Sequence, residues 1–178
     1  MRIIAGELKG REFSAPKGHK THPMSDKARG ALFNVLGDVG GLDFLDAFAG
    51  SGALAVEAIS RGAASVTAVE KDKAAYSVIE QNIKSLALRD QIKASRANVA
   101  GWSVHNMERE FDVLLLDPPY DDLQTSTLQK LINRHVTPSG LAVLSWPGHT
   151  QPPGFTGTQI VAVKNYGDAQ LVFYRKIG

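Results

Sequence analysis

From residue 42 onward, short unbroken apolar runs alternate with stretches in which apolar residues recur every three or four positions. The runs read as strands buried on both faces, the periodic stretches as helices with one buried side. Strands are predicted at 42–48, 65–69, 92–96, 111–116 and 141–146. Between them the spacing predicts helices over 53–60, stopped by Gly62, and over 73–88, with Ala75, Ile79, Ile83 and Leu86 on one side. A weaker helix is expected over 99–107, and another over 123–135 around Leu128, Leu131 and Ile132. Residues 160–163 and 170–174 read as a closing antiparallel pair, and 147–158, rich in Pro and Gly, as the loosest loop. Strand and helix in alternation specify an α/β fold, a mostly parallel sheet with helices on both faces.

The first 41 residues follow a different pattern. Ile3, Ile4, Leu8 and Phe13 among Gly6 and Gly10 predict two short strands joined by a turn, an N-terminal β-hairpin. Residues 15–23 carry Pro16, Gly18 and Pro23 without periodicity and read as a loop. Ser25 and Asp26 open a helix as N-cap and first-turn acid, with Ala28, Leu32, Val35 and Leu36 on its buried face and Gly37 and Gly40-Gly41 at its end. Arg29 and Asn34 lie outside that apolar set and are expected to face solvent or a ligand. Residues 1–23 are thus read as an extension rather than a separate domain, and 24–178 as the body.

Composition narrows the function. A chain of 178 residues, 43% hydrophobic, suffices for one domain with a sizeable core. It has no cysteine, so disulfides and thiolate metal sites are excluded, and its five histidines show no H-E-x-x-H spacing. No apolar run reaches the length of a membrane span, and the N-terminus lacks the apolar segment of a signal peptide. A soluble, cytoplasmic, metal-free protein is expected. Net charge is +2, unevenly spread: Arg2, Lys9, Arg11, Lys17, Lys20, Lys27 and Arg29 face only Glu7, Glu12 and Asp26 in the first 29 residues. A basic arm on a mildly acidic body is suited to a phosphate backbone.

The chemistry gathers at three strand ends. Asp46-Ala47-Phe48-Ala49-Gly50-Ser51-Gly52 lies between the first strand and the first helix of the alternating series. There two glycines let a ligand approach the backbone, and the helix start offers unpaired N–H groups. Gly50 to Ala55 also satisfies a loose dinucleotide pattern, but the Asp46 carboxylate would repel a pyrophosphate and favours a cationic amino acid moiety over NAD. Glu70 ends the second strand about 20 residues on, where an acid accepts from ribose hydroxyls. Asn98 follows the third strand and offers an amide to an adenine edge. The fourth strand stops at Asp117-Pro118-Pro119-Tyr120, a stiff turn that brings a carboxylate and an aromatic ring to the ligand edge of the sheet. Such a turn suits the gripping of a planar amine while its ring is stacked.

These motifs, in this order, resemble S-adenosylmethionine-dependent methyltransferases that modify exocyclic amines. The opening R-I-I-A-G-E-L-K-G-R and the later H-P-M-S-D-K-A-R-G-A-L-F-N look like the RsmD family, which methylates a guanine N2 of 16S rRNA. The resemblance runs from Arg2 to about Tyr120. It departs at His22-Pro23-Met24 and Arg29-Gly30, where the family has Arg-Pro-Thr and Arg-Glu. It implies a seven-stranded, Rossmann-like class I methyltransferase fold. Asp46 to Gly52, Glu70, Lys71 and Asn98 would lie at S-adenosylmethionine, and Asp117 to Tyr120 at the target base. Arg2, Lys9, Arg11, Lys17, Lys20 and Arg29 are the cations expected at RNA, with ribosomal RNA or the assembling small subunit as partner of a monomeric enzyme. Two other functions share parts of this pattern. A DNA adenine-N6 methyltransferase uses the same D-P-P-Y chemistry, but no extra domain for reading duplex sequence is evident. A non-catalytic assembly factor that binds cofactor and RNA would not need Asp117 and Tyr120.

Overall fold

In the computed structural model, which describes residues 1–17 and 24–178, seven strands form a single sheet. The elements run α1 (Asp26–Leu36), β1 (Asp43–Asp46), α2 (Ala53–Ser60), β2 (Ser65–Glu70), α3 (Lys73–Ser85), β3 (Ile92–Arg96), α4 (Val99–His105), β4 (Phe111–Leu116), α5 (Thr125–His135), β5 (Val136–Pro147), β6 (Thr158–Tyr166) and β7 (Ala169–Lys176). Their order across the sheet is β3-β2-β1-β4-β5-β7-β6. The first five strands are parallel, and β7 runs antiparallel between β5 and β6. The order reverses between β1 and β4, so the strand-end crevice there is the topological switch point where such sheets bind ligands.

Alternation along the strands sorts the core into two layers. Phe44, Val113 and Leu115 face α2, α3, Leu32 and Phe33 of α1 and the N-terminal residues Ile3 and Phe13. Leu45, Leu114 and Leu116 face the other way, against Trp102 of α4 and Leu128, Leu131 and Ile132 of α5. Burial on both faces is why these strands read as unbroken apolar runs.

Several boundaries differ from the expected ones, each for a local reason. The buried face of α1 is Ala28, Arg29, Leu32 and Phe33, not the set ending in Val35 and Leu36. Val35 is 38% exposed, because α1 is rotated to pack Phe33 on Phe44. Helix α3 stops at Ser85 instead of continuing to residue 88, since Ala87 takes φ +57° and the Leu88 N–H turns back to the Ile83 carbonyl. Alanine gives no sign of this left-handed exit, which glycine normally marks. Strand β5 begins five residues early at Val136, and Thr137 to Gly140 form an irregular step between the pairings Phe111↔Val136 and Val113↔Leu141. The N-terminal hairpin is present as a short antiparallel pair around the Arg2↔Glu12 bridge: Met1 and Phe13 exchange backbone hydrogen bonds at 3.0 and 2.9 Å, and the Ile3 N–H donates to the Arg11 carbonyl at 2.9 Å. Side chains of the body, Glu57, Ser60 and Asn82, also fix the arm.

Candidate active site

The glycine loop is shaped by backbone conformation and by one acid. Gly50 and Gly52 adopt φ +56° and +80°, a region that a Cβ disfavours, and Gly52 is the cap from which α2 starts. A Cβ on Gly52 would also meet Ile79 at 3.4 Å, whereas the space beside Gly50 is open. Glu70 holds the loop: its Oε1 accepts the Gly50 N–H at 2.9 Å and its Oε2 the Asp72 N–H at 2.8 Å. Each oxygen retains a further lone pair for a ligand hydroxyl. Lys71 next to it is exposed. Asn98 caps α4, accepting the Ala100 N–H at 2.9 Å through Oδ1, which leaves its amide N–H groups to face outward. It lines an open depression of about 440 Å³ with Ser95, Ala97, Gly101 and Trp102. A second depression, about 330 Å³ and lined by Arg89, Lys93 and Arg109, lies at the opposite ends of β2 and β3, away from every residue of the glycine and proline loops.

Asp46 and Asp117 end adjacent strands across the switch point, Asp46 pairing with Leu115 in the β1–β4 register. Asp46 is fully buried, and neither carboxylate oxygen has a hydrogen-bond partner among the described residues. Burial, then the charges of Asp117 and Glu70, push its pKa up to about 8; the Phe48 N–H pulls weakly the other way from outside hydrogen-bonding geometry. Asp117 keeps a partly open face, and burial raises it to about 6 against the pull of Ser145. Asp46, Glu70 and Asp117 thus put three carboxylates near one crevice, and among the described residues the one on Asp46 has no hydrogen-bond partner, which favours a cation there.

The proline turn presents its aromatic ring outward. Pro118 is buried, the Asp122 N–H closes a turn on the Pro119 carbonyl at 3.0 Å, and Tyr120 is 42% exposed. The Tyr120 hydroxyl lies 2.8 Å from Ser145 Oγ on β5, so the ring is tethered at its far end while part of its surface stays free. Ser145 was invisible as a site residue in the sequence. Its only signal is a hydroxyl near the end of the apolar run Leu141 to Trp146, on the strand beside β4.

Arg2, Lys9, Arg11 and Lys17 are exposed, and Lys20 falls outside the described residues. Arg29 is corrected: instead of facing solvent or a phosphate it is wholly buried. Its Nη2 donates to the Arg2 carbonyl at 2.7 Å, and its Nε stands 3.5 Å from Glu57 Oε1. Glu57, in α2, also accepts the Ile4 and Ala5 N–H groups at 2.9 and 3.1 Å and pairs with Arg61 Nε at 2.8 Å. Ser60, one turn on, donates to the Ala5 carbonyl at 2.6 Å and accepts the Leu8 N–H at 2.9 Å. Thus α2 turns its few polar side chains to the arm. A Glu and a Ser inside Ala-Leu-Ala-Val-Glu-Ala-Ile-Ser were the available signal.

The family described as conserved hypothetical protein 95 matches residues 1–175. The chain is 33% identical over 186 residues to the Bacillus subtilis protein YlbH, covering the whole of both. It is 35% identical over 134 residues to the ribosomal RNA small subunit methyltransferase D of Buchnera aphidicola subsp. Acyrthosiphon pisum, with 74% of this chain and 70% of the relative covered. Among solved structures it is similar to yhhF from Escherichia coli, with a TM-score of 0.88 and 26% identity over 99% of this chain and 98% of the other.

Proposed function

The chain belongs to the RsmD family, and from that premise we propose that it methylates the exocyclic N2 of a guanine in 16S ribosomal RNA, with S-adenosylmethionine as donor. That it is a ribosomal RNA methyltransferase follows from the family; the base, the atom and the residues at work are our reading. One observation carries that reading: the buried Asp46 carboxylate, without a hydrogen-bond partner among the described residues, shares the switch-point crevice with Asp117 and its proline turn.

The residues present suit the donor. Its cationic amino acid portion answers the charge that Asp46 lacks, and Glu70 has lone pairs free for ribose hydroxyls. The open space beside Gly50 admits a ligand against the loop backbone, and Asn98 offers its amide to the adenine. When bound, S-adenosylmethionine supplies an electrophilic methyl group. The rest falls to the chain. A guanine amine delocalises its lone pair into the ring, so it must be turned and polarised. Asp117 accepts one N–H, a proline-loop carbonyl the other, and the Tyr120 ring stacks on the base. With its pKa near 6, Asp117 is ionised at neutral pH and can take the proton that nitrogen sheds after methylation. A paired guanine cannot present N2, so the base is single-stranded or flipped, at a cost of a few kcal/mol that phosphate contacts offset. Residues 1–23 serve as an extension of the catalytic body.

Those contacts fall to Arg2, Lys9, Arg11 and Lys17, all exposed on the arm. Replacing Lys9, Arg11 and Lys17 together by Gln is expected to weaken binding of many RNA sequences alike and to raise the KM for RNA. The slope of log affinity against log salt should flatten by about 0.7 to 0.9 per lost contact. Filter binding across a salt series reads this directly. A folded variant with unchanged affinity and slope would return the arm to an ordinary solvated surface.

A further inference from the structure

One side chain joins the arm to the glycine loop. Asn82 of α3 is only 2% exposed. Its Oδ1 accepts the Ser14 N–H at 2.8 Å, and its Nδ2 donates to the Ser14 carbonyl at 2.9 Å and to the Ser51 carbonyl at 3.2 Å. The double bond to Ser14 fixes which way the amide faces, and so directs its second N–H at Ser51. Ser51 stands between the two left-handed glycines of the loop. Ser14 stands midway between the exposed cations Arg11 and Lys17. At its other end the arm is gripped by Glu57 and Ser60 of α2, the helix that the glycine loop begins. The arm therefore bridges the two helices that flank the loop.

We propose that Asn82 is a positioning residue coupling the arm to the glycine loop, so that RNA on the arm and the adenosyl ligand in the loop strengthen each other's binding. The inference rests on the functional reading above. A ligand that fixes Ser51 also fixes Asn82 and Ser14, so the ordering cost is met once and the second ligand binds more tightly. Linkage makes the effect reciprocal. Asparagine is required because the site needs an acceptor for one N–H and two donors for two carbonyls.

The test compares the Kd of a 16S rRNA transcript with and without saturating S-adenosylhomocysteine, in the wild-type full chain and in Asn82→Asp. Aspartate keeps the shape and the acceptor but loses both donors. The wild type is expected to bind RNA about fivefold or more tightly when the adenosyl ligand is present. In Asn82→Asp that ratio should fall to about one, while each ligand alone still binds. A merely structural role would lower the melting temperature and leave the ratio intact. An unchanged ratio in the folded variant, or a ratio of one in a wild type that binds both ligands, overturns the coupling alone. A wild type that binds neither ligand overturns the functional reading, and the coupling with it. Should Asn82→Asp not fold, hydrogen exchange in the wild type decides. S-adenosylhomocysteine should slow exchange at the Ser14 amide, and unchanged exchange contradicts the coupling.

Discussion

Replacing Asp117 with alanine is expected to lower the single-turnover rate of methyl transfer by about 10² to 10³-fold while the affinity for S-adenosylhomocysteine changes little. The separation follows from geometry. Asp117 follows the last residue of β4, whereas the glycine loop is held by Glu70 through Gly50, a contact the substitution does not touch. The pH profile gives a second reading of the same residue. Burial raises Asp117 to about 6, and a protonated carboxyl cannot accept the amine N–H. The wild-type rate should therefore fall as pH drops through about 6, and Asp117→Ala should lack that limb. Tyr120→Phe keeps the ring face but loses the tether to Ser145, so a modest decrease is expected beside the large one at Asp117. Near-normal single-turnover rates in Asp117→Ala would mean that the amine is gripped elsewhere.

Asp46→Asn should stabilise the free protein and weaken its cofactor binding. The carboxylate is buried without a hydrogen-bond partner among the described residues, and its pKa is raised from 3.8 to about 8. Between those values the folded chain holds a proton that the unfolded chain has released. Native stability therefore declines as pH rises through this window. Asparagine cannot ionise, so the variant should gain on the wild type as pH goes from 5 to 8, by roughly 3 to 4 kcal/mol over that range. Melting curves at the two pH values read the difference. Binding of a cationic adenosyl ligand should re-ionise Asp46 and release a proton, making wild-type affinity rise with pH up to about 8. Calorimetry in buffers of different ionisation heat detects that proton. In Asp46→Asn the release should vanish and affinity fall at least about tenfold, the scale of one opposite-charge contact in a buried site. NAD, with its pyrophosphate, should bind neither form. Tight NAD binding by the wild type would contradict the role given to Asp46.

What the sequence conveyed and what it withheld divide along the range of the interactions. The strands of the alternating series, the glycine loop and the proline turn were legible because each is written in consecutive residues: an apolar run, a Gly-Ser-Gly, a Pro-Pro. The acids at the carboxyl ends of β1, β2 and β4 could be assigned to one ligand edge for the same reason. Arg29 was misread because its burial depends on Glu57, 28 positions away on another helix, and on the Arg2 carbonyl. An arginine beside an apolar stripe gives no local hint of such partners. Ser145 and Asn82 were missed on similar grounds, since one acts by lying on the strand next to β4 and the other by pairing with Ser14, 68 positions earlier. The hairpin pairing of the arm was legible, but its anchoring was not, because the backbone groups left over by Met1–Phe13 and Ile3–Arg11 pairing are met by Glu57, Ser60 and Asn82 far along the chain.

The central claim concerns the atom that receives the methyl group. The direct measurement is mass spectrometry of nucleosides from unmethylated 16S rRNA, naked or in small subunits, after incubation with the protein and S-adenosylmethionine carrying a deuterated methyl group. The account predicts labelled N2-methylguanosine, formed by the wild type and reduced by about 10² to 10³-fold in initial rate with Asp117→Ala. Label on another base or on another atom of guanine, or no label from a protein that binds S-adenosylhomocysteine and RNA, would contradict it.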